Sequence, residues 1–144
     1  MRLTAKPGQQ ICSKYLLPHI YAYAYIILFM LPEELFNIFS DRTRLRSIML
    51  IQAEQEVCVC ELAFTLEESQ PKVSRHLALM RDAGLVTPRR EGTWMHYRMS
   101  PDLPSWARET IEQTYQQLRS LEQFSNDRSR LQTMTNRPGE IGCA

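Results

Sequence analysis

Two cysteines separated by a single residue carry the most specific chemistry in this sequence. Cys58 and Cys60 flank Val59. Thiolates bind soft metal ions, and two neighbouring thiolates can hold one ion together. The spacing therefore predicts a metal site at Cys58 and Cys60. The alternative is that both side chains are small buried apolar groups, as free cysteines often are.

The backbone at this pair decides whether both sulfurs can reach one ion. Apolar residues at helical spacing predict a helix that begins around Val57 to Cys60 and continues through Leu66. Side chains two residues apart on a helix point in directions roughly 200° apart, whereas in an extended chain they share a face. We therefore expect metal capture to favour a locally unwound helix start. A helix start lowers a thiol pKa and nearby acidic residues raise it, and the sequence leaves that balance open.

The remaining cysteines lie near the ends of the chain, at Cys12 and Cys143. This arrangement does not resemble a disulfide framework, because one pair is very close in sequence and the other two cysteines are terminal. Free thiols in a reducing compartment fit better, so we expect a cytoplasmic protein. Cys12 or Cys143 is a candidate third metal ligand.

Charge is segregated along the chain, although the net charge is only +1. The segment from Gln52 to Pro71 contains five acidic residues and no basic one. The segment from Lys72 to Arg98 contains six Lys and Arg residues against Asp82 and Glu91. A generic polycation is excluded, so any affinity for nucleic acid must come from the basic segment.

The basic segment begins with a helix suited to the DNA major groove, over Ser69 to Arg81. Its apolar residues fall on one stripe and leave donors on the other side. Gln70 can pair with adenine and Arg75 with guanine. The alternative is an ordinary surface helix with solvated charges. The predicted DNA contacts on this helix are Gln70, Lys72, Ser74, Arg75 and His76.

After Gly84 the pattern changes to alternation, which predicts a β-hairpin with a basic turn over Arg89 to Gly92. Arg89 and Arg90 at its tip are predicted to contact phosphates or the minor groove. A helix-turn-helix followed by such a hairpin predicts a winged helix-turn-helix, a mainly α fold with a β-hairpin wing (α+β) and the element order ααααββα.

The last predicted helix, from Ser105 to Gln123, has a long apolar side. We expect Ile111, Tyr115 and Leu118 to pair with a twofold mate, which would join two DNA-reading modules in a homodimer. The alternative is that this helix closes the core of its own chain.

The chain is expected to comprise an N-terminal extension (1–29), one DNA-binding and dimerisation domain (30–124) and a disordered tail (125–144). Translation from Met30 would remove the extension altogether. The uncharged stretch from Tyr15 to Leu31 reaches only the lower length limit of a spanning helix, about 17 residues. A membrane tether and an extra dimer helix are the alternatives for it, and we expect no membrane partner.

Three blocks resemble the arsenical-resistance operon repressors of the ArsR/SmtB family: EVCVCEL at 56–62, SQPKVSRHLAL at 69–79 and GTWMHYR at 92–98. The resemblance covers Met30 to about Gln123. It implies a homodimeric repressor of a detoxification operon, bound to double-stranded operator DNA and released by trivalent arsenic or antimony at Cys58 and Cys60, with no catalytic cofactor. One departure is Ala63, where this branch commonly has a third cysteine.

The resemblance leaves related inducers to consider. Cadmium- and lead-sensing relatives add a cysteine from an N-terminal arm, a role open to Cys12, and thiol oxidation is a further alternative. Zinc-sensing relatives use histidines on the last helix, which is without histidine here. An enzyme is not expected, because the cysteines have one intervening residue instead of two and neither His76 nor His96 has an evident acidic partner.

Overall fold

The computed structural model describes residues 30–138 of the chain. The expectations about residues 1–29, including Cys12, and about Cys143 lie outside these residues. The elements in chain order are α1 (Pro32–Phe39), α2 (Arg42–Glu54), β1 (Glu56–Cys58), α3 (Val59–Leu66), α4 (Gln70–Asp82), β2 (Val86–Glu91), β3 (Trp94–Met99), α5 (Ser105–Leu118) and α6 (Glu122–Thr133).

The predicted winged helix-turn-helix is confirmed, with α3 and α4 as its two helices and β2–β3 as its wing. The structure adds one strand, because β1 pairs with β3 to give an antiparallel sheet in the order β1-β3-β2. Val57 lies opposite Tyr97, and Cys58 lies opposite His96. Three residues are too few to show alternation in a sequence, which is why β1 was not predicted. The strand fixes the cysteine segment to the wing.

A single apolar core holds these elements together. Most of its side chains come from the helices, and they are almost completely shielded from water. Burial of each such side chain stabilises the fold by about 1.5 to 3 kcal/mol relative to exposure. The largest fully buried side chains include Leu35, Ile48, Ile51, Leu62, Leu77, Met80, Leu85, Ile111 and Leu131.

Local signals set the start of α2 and the end of α4 as expected. Asp41 precedes α2, and its carboxylate accepts the Arg44 backbone N–H at 2.9 Å, a helix N-cap. Gly84 follows α4 with φ +75°, a left-handed conformation that glycine adopts without strain. These signals position α4 at the end of the helix-turn-helix.

The prediction of one closing helix and a disordered tail from Ser125 was wrong for the residues through Thr133. The helix α5 ends at Leu118, and α6 turns back onto the domain. Leu131 is fully buried, and Asp127 accepts two hydrogen bonds from Arg46, at 2.8 and 2.5 Å. A helix held by a buried leucine and by ion pairs has a polar composition, so the sequence resembled a disordered tail.

The hairpin turn lies at a different position from the one predicted. Arg89 and Arg90 lie within β2, and the turn falls at Gly92 and Thr93, where Gly92 has φ +58°. Pro88 does not end the strand, because β2 is an edge strand and needs no donor on its outer side. The two arginines therefore point to opposite faces of the sheet.

Between residues 30 and 138, no helix combines the length and apolar character that crossing a bilayer requires.

Candidate functional site

The two cysteines lie where a strand passes into a helix. Cys58 is the last residue of β1 and precedes the first turn of α3 with extended backbone angles, φ −76° and ψ 151°. Cys60 follows inside the helix, and the two sulfurs are 2.9 Å apart. This separation is too long for a disulfide, and both thiols are free. The extended geometry that one shared ion requires is therefore part of the fold, and unwinding is not needed to bring the sulfurs together.

Glu61 fixes the turn that brings the sulfurs together. Its carboxylate accepts the backbone N–H of Cys58 at 2.6 Å, the Glu half of a capping box. The other oxygen of Glu61 accepts a hydrogen bond from Nε of Arg137, also at 2.6 Å. Glu61 is 4% exposed, so it is a buried carboxylate with both oxygens engaged.

The thiol of Cys60 is held in its protonated form. Burial raises the pKa of Cys60 to about 12, and the neighbouring Cys58 sulfur and the Glu61 carboxylate act in the same direction. These influences exceed the effect of the helix start, which settles for Cys60 the balance that the sequence left open. Cys60 therefore donates a hydrogen bond to the Cys58 sulfur.

A third protein ligand is absent from the part of the chain that the structure describes. No cluster of three or more His, Cys, Asp or Glu side chains there could hold a metal ion. Ala63 occupies the position one helical turn after Cys60. Residues 30–138 thus provide a site of two sulfurs.

Every acidic residue of the Gln52–Pro71 segment has a basic partner. Three of these partners come from α6 and the residues after it, a part of the chain for which disorder was predicted. A surplus of negative charge that would attract a cation to the thiols is therefore not present. The pairs are Glu54 with Arg128 and Arg137, Glu56 with Arg89, Glu61 with Arg137, Glu67 with Arg130, and Glu68 with Lys72.

A cavity of about 310 Å³ connects the cysteines to both predicted DNA-contacting elements. Cys58 and Cys60 line one side of it. Gln70 and Ser74 of α4 line another, and Trp94 contributes from the wing. We call this space the thiol cavity. An atom bound to the sulfurs would lie beside the start of α4 and beside β3 of the wing.

The predicted front of α4 is presented to solvent in part. Gln70, Ser74 and Arg75 are exposed. His76 was predicted to contact DNA, but it turns toward the N-terminus of α2, with Nδ1 3.8 Å from the Asp41 carboxylate and a side chain only 16% exposed. Lys72 is 2.6 Å from Glu68, so its charge is already partly engaged.

The wing separates its two arginines. Arg89 donates to both Glu56 oxygens, at 2.8 and 2.7 Å, and to Glu91 at 2.8 Å. Hydrogen bonds from Arg89 hold the pKa of the Glu56 carboxyl below its ordinary value. The prediction that Arg89 lies at the hairpin tip was wrong, because Arg89 lies within β2 and pairs with Glu56 of β1. Its contact with DNA stays a prediction. Arg90 lies on the other face and is exposed.

The three residues predicted to contact a partner subunit differ in how deeply they are buried within one chain. Ile111 is 1% exposed within one chain, so it closes the core of that chain and its prediction as a partner contact was wrong. Tyr115 and Leu118 are half-buried and pack at the edge of this core. Phe36 on α1 is 59% exposed, which leaves an aromatic side chain uncovered in the single chain.

Sequence reasoning missed Glu61, Arg137 and Leu79. Glu61 follows Cys58 by three residues, the spacing of a capping box, so its role had a local signal. Arg137 contacts a residue 76 positions earlier and had none. Leu79 follows Arg75 by about one helical turn of α4 and is 55% exposed. It offers a methyl-contacting surface for thymine.

A helix-turn-helix with an exposed polar helix face and an adjoining β-hairpin defines a winged-helix protein of the DNA-binding class. Residues 41–87 match the family model described as "Bacterial regulatory protein, arsR family". The chain is 48% identical to an arsenical resistance operon repressor of Escherichia coli K12 over 60% of this chain and 74% of that one. It is 43% identical to the arsenic resistance transcriptional regulator ArsR2 of Pseudomonas putida, over 74% and 91%. The chain belongs to the ArsR family.

Solved structures agree with this fold. HlyU of Vibrio cholerae superposes with a TM-score of 0.52 at 30% identity, over 58% of this chain and 87% of HlyU. The antimony-specific repressor AntR superposes with a TM-score of 0.50 at 22% identity, over 85% and 99%, which supports the fold alone.

Proposed function

We propose that this chain is a metalloid-responsive repressor that releases operator DNA when trivalent arsenic or antimony binds Cys58 and Cys60. The observation that supports this proposal is the position of the two sulfurs. They are 2.9 Å apart at the wall of the thiol cavity, which is also lined by residues of α4 and the wing. The names of the Escherichia coli and Pseudomonas putida relatives point to the same inducer class.

The distance between the sulfurs suits a single bridging atom. For a bond of about 2.3 Å to each sulfur and an angle between 90° and 109°, two sulfurs on one centre lie about 3.3 to 3.8 Å apart. The observed separation of 2.9 Å must increase by less than about 1 Å. Binding therefore widens an existing pair without assembling a new one.

The protonated thiol of Cys60 favours arsenous acid over a divalent cation. Arsenous acid, As(OH)₃, reacts with two thiols to form two As–S bonds and two molecules of water. The thiol protons leave with the hydroxyl groups, so a Cys60 pKa of about 12 does not oppose the reaction. A cation such as cadmium must instead displace those protons into solvent. The third position on arsenic is filled by the remaining hydroxyl or by Cys12 or Cys143.

The thiol cavity supports a route from binding to DNA release. Widening the sulfur pair moves the start of α3 against β1, and β1 pairs with β3 of the wing. Gln70 and Ser74 line the same cavity, so α4 meets the bound atom directly. To shift the DNA-binding population from 99:1 to 1:99, the inducer must favour the released state by about 10⁴-fold.

The operator is proposed to be a palindrome in double-stranded DNA, read by a homodimer in the cytoplasm. On each subunit, Gln70, Ser74 and Arg75 contact bases while Arg90 contacts phosphate. Tyr115 and Leu118, together with the exposed Phe36 of α1, are the surfaces proposed to meet the partner. Two copies would place their half-sites about one helical turn apart.

A fluorescence-anisotropy titration tests this function. Arsenite is added to the protein bound to a labelled promoter fragment, and the wild type is compared with Cys58→Ser and Cys60→Ser. Each variant should bind DNA normally and need at least about 100-fold more arsenite for release, because a ligand has been lost. Cys12→Ser and Cys143→Ser test the third ligand. Unchanged arsenite release in Cys58→Ser contradicts the proposal.

Two further additions separate the competing inducers. Cadmium affinity should rise with pH, by about tenfold per unit for each proton displaced, whereas arsenite affinity should stay nearly constant from pH 6.5 to 8.5. Release by peroxide in the absence of arsenite would favour the thiol-oxidation alternative, for which the two adjacent free thiols are the supporting observation.

A further inference from the structure

The residues after α6 return to the cysteine pair. Arg137 follows α6 by four residues and lies against the start of α3. Its guanidinium donates to Glu61 at 2.6 Å and is 3.4 Å from the Glu54 carboxylate. The Arg137 side chain is only 20% exposed, so this contact is enclosed and not a loose surface pair.

Arg137 and the Cys58 amide bind opposite oxygens of the same carboxylate. Oε1 of Glu61 accepts from Arg137, and Oε2 accepts from the Cys58 backbone. A carboxylate that is 4% exposed requires a cationic partner to remain in place. The position of the Cys58 amide, and with it the Cys58 sulfur, therefore depends on a residue 79 positions further along the chain.

We propose that Arg137 is a positioning residue of the inducer site, which acts through Glu61 to hold Cys58 next to Cys60. This inference rests on the proposed function. It makes the segment after α6 part of the site, although that segment contacts neither sulfur. Without the guanidinium, the Glu61 carboxylate turns toward solvent and no longer accepts the hydrogen bond of the Cys58 amide. The two sulfurs then separate in the protein without inducer.

Arsenite affinity and the amide signal of Cys58 together test this role. In ¹H–¹⁵N correlation spectra of the full chain, Arg137→Gln should move the Cys58 amide resonance strongly, whereas Arg137→Lys should largely restore it. Arsenite affinity should fall about tenfold in Arg137→Gln. Arg128→Gln is the matched control, because Arg128 lies near Glu54 at 3.7 Å and has no contact with Glu61. Arg128→Gln should leave both the Cys58 amide resonance and the arsenite affinity unchanged.

A double-mutant cycle shows whether Arg137 acts through Glu61. Glu61→Gln removes the buried charge but keeps an oxygen that can accept from Cys58. In that background Arg137→Gln should change arsenite affinity by less than about twofold, because the two effects are not additive. Additive losses, or a Cys58 amide that does not move in Arg137→Gln, overturn the proposal. If wild-type protein fails to bind arsenite while the Cys58 amide still responds to Arg137→Gln, the proposed function fails and the positioning role stands.

Discussion

Two regions of the molecule differ in how their charged side chains are paired. One is the start of α3, and the other is the DNA-facing surface formed by the outer face of α4 and the wing tip. Around the cysteines each acidic residue is matched by a nearby basic side chain, and the key carboxylate, Glu61, is buried. On the DNA-facing side, Arg75 and Arg90 have no carboxylate within salt-bridge distance among residues 30–138. The acidic and basic segments of the sequence therefore do not form two complementary surfaces. One is neutralised within the fold, and the other keeps free positive charge for phosphate.

The largest expected effect tests the neutralised region. Asp127→Ala removes the partner of Arg46 at a largely buried position, since the side chain of Asp127 is 4% exposed and that of Arg46 is 14% exposed. Removing one member of such a pair should lower the free energy of unfolding by about 3 kcal/mol, measured by urea denaturation. The neighbouring exposed residue provides the control, and Asn126→Ala should change stability by less than about 0.5 kcal/mol. Equal, small effects would show that α6 is not fixed to α2 by this pair.

The second effect tests the free charge on α4. Arg75→Ala should weaken operator binding by about 1 to 3 kcal/mol and reduce discrimination at one base position, because Arg75 is proposed to contact a guanine. Binding to the operator and to single-base variants, measured at one salt concentration, distinguishes base reading from a phosphate contact. A uniform loss across all sequences would contradict the assignment.

The smallest effect compares the two wing arginines. Arg90→Ala should weaken binding to every sequence and reduce the salt slope by about one unit, as expected for one lost phosphate contact. Arg89→Ala should leave the salt slope nearly unchanged, because Arg89 is bound by Glu56 and Glu91. Titrations from 50 to 200 mM salt measure both. A slope that changes in Arg89→Ala but not in Arg90→Ala would reverse the assignment made from the structure.

The elements that the sequence predicted are those with a local signal. The stripe of α4, the Asp41 cap and Gly84 each act over a few residues, so the helix-turn-helix followed from periodicity and capping. The cysteine pair was also found, but its geometry was not, because β1 exists only through its pairing with β3. Contacts between side chains that are far apart in the sequence produce no local pattern from which they could be predicted.

The C-terminal helix shows this limit most clearly. Its residues are polar, and it is held by Leu131 and by ion pairs with residues about 80 positions earlier. Composition alone gives such a segment the character of a disordered tail. The same distance explains why the neutralisation of Glu54, Glu61 and Glu67 was not predicted, since their arginine partners lie at positions 128, 130 and 137.

X-ray absorption at the arsenic edge on arsenite-loaded protein tests the central claim most directly, because it counts the sulfur atoms bound to arsenic. The account predicts at least two sulfur ligands in the wild type and a change to fewer sulfurs in the Cys58→Ser and Cys60→Ser proteins. A third sulfur that disappears in Cys12→Ser or Cys143→Ser would identify the remaining ligand. Arsenic with the same sulfur count in wild type and in a Cys58→Ser, Cys60→Ser double variant would contradict the account.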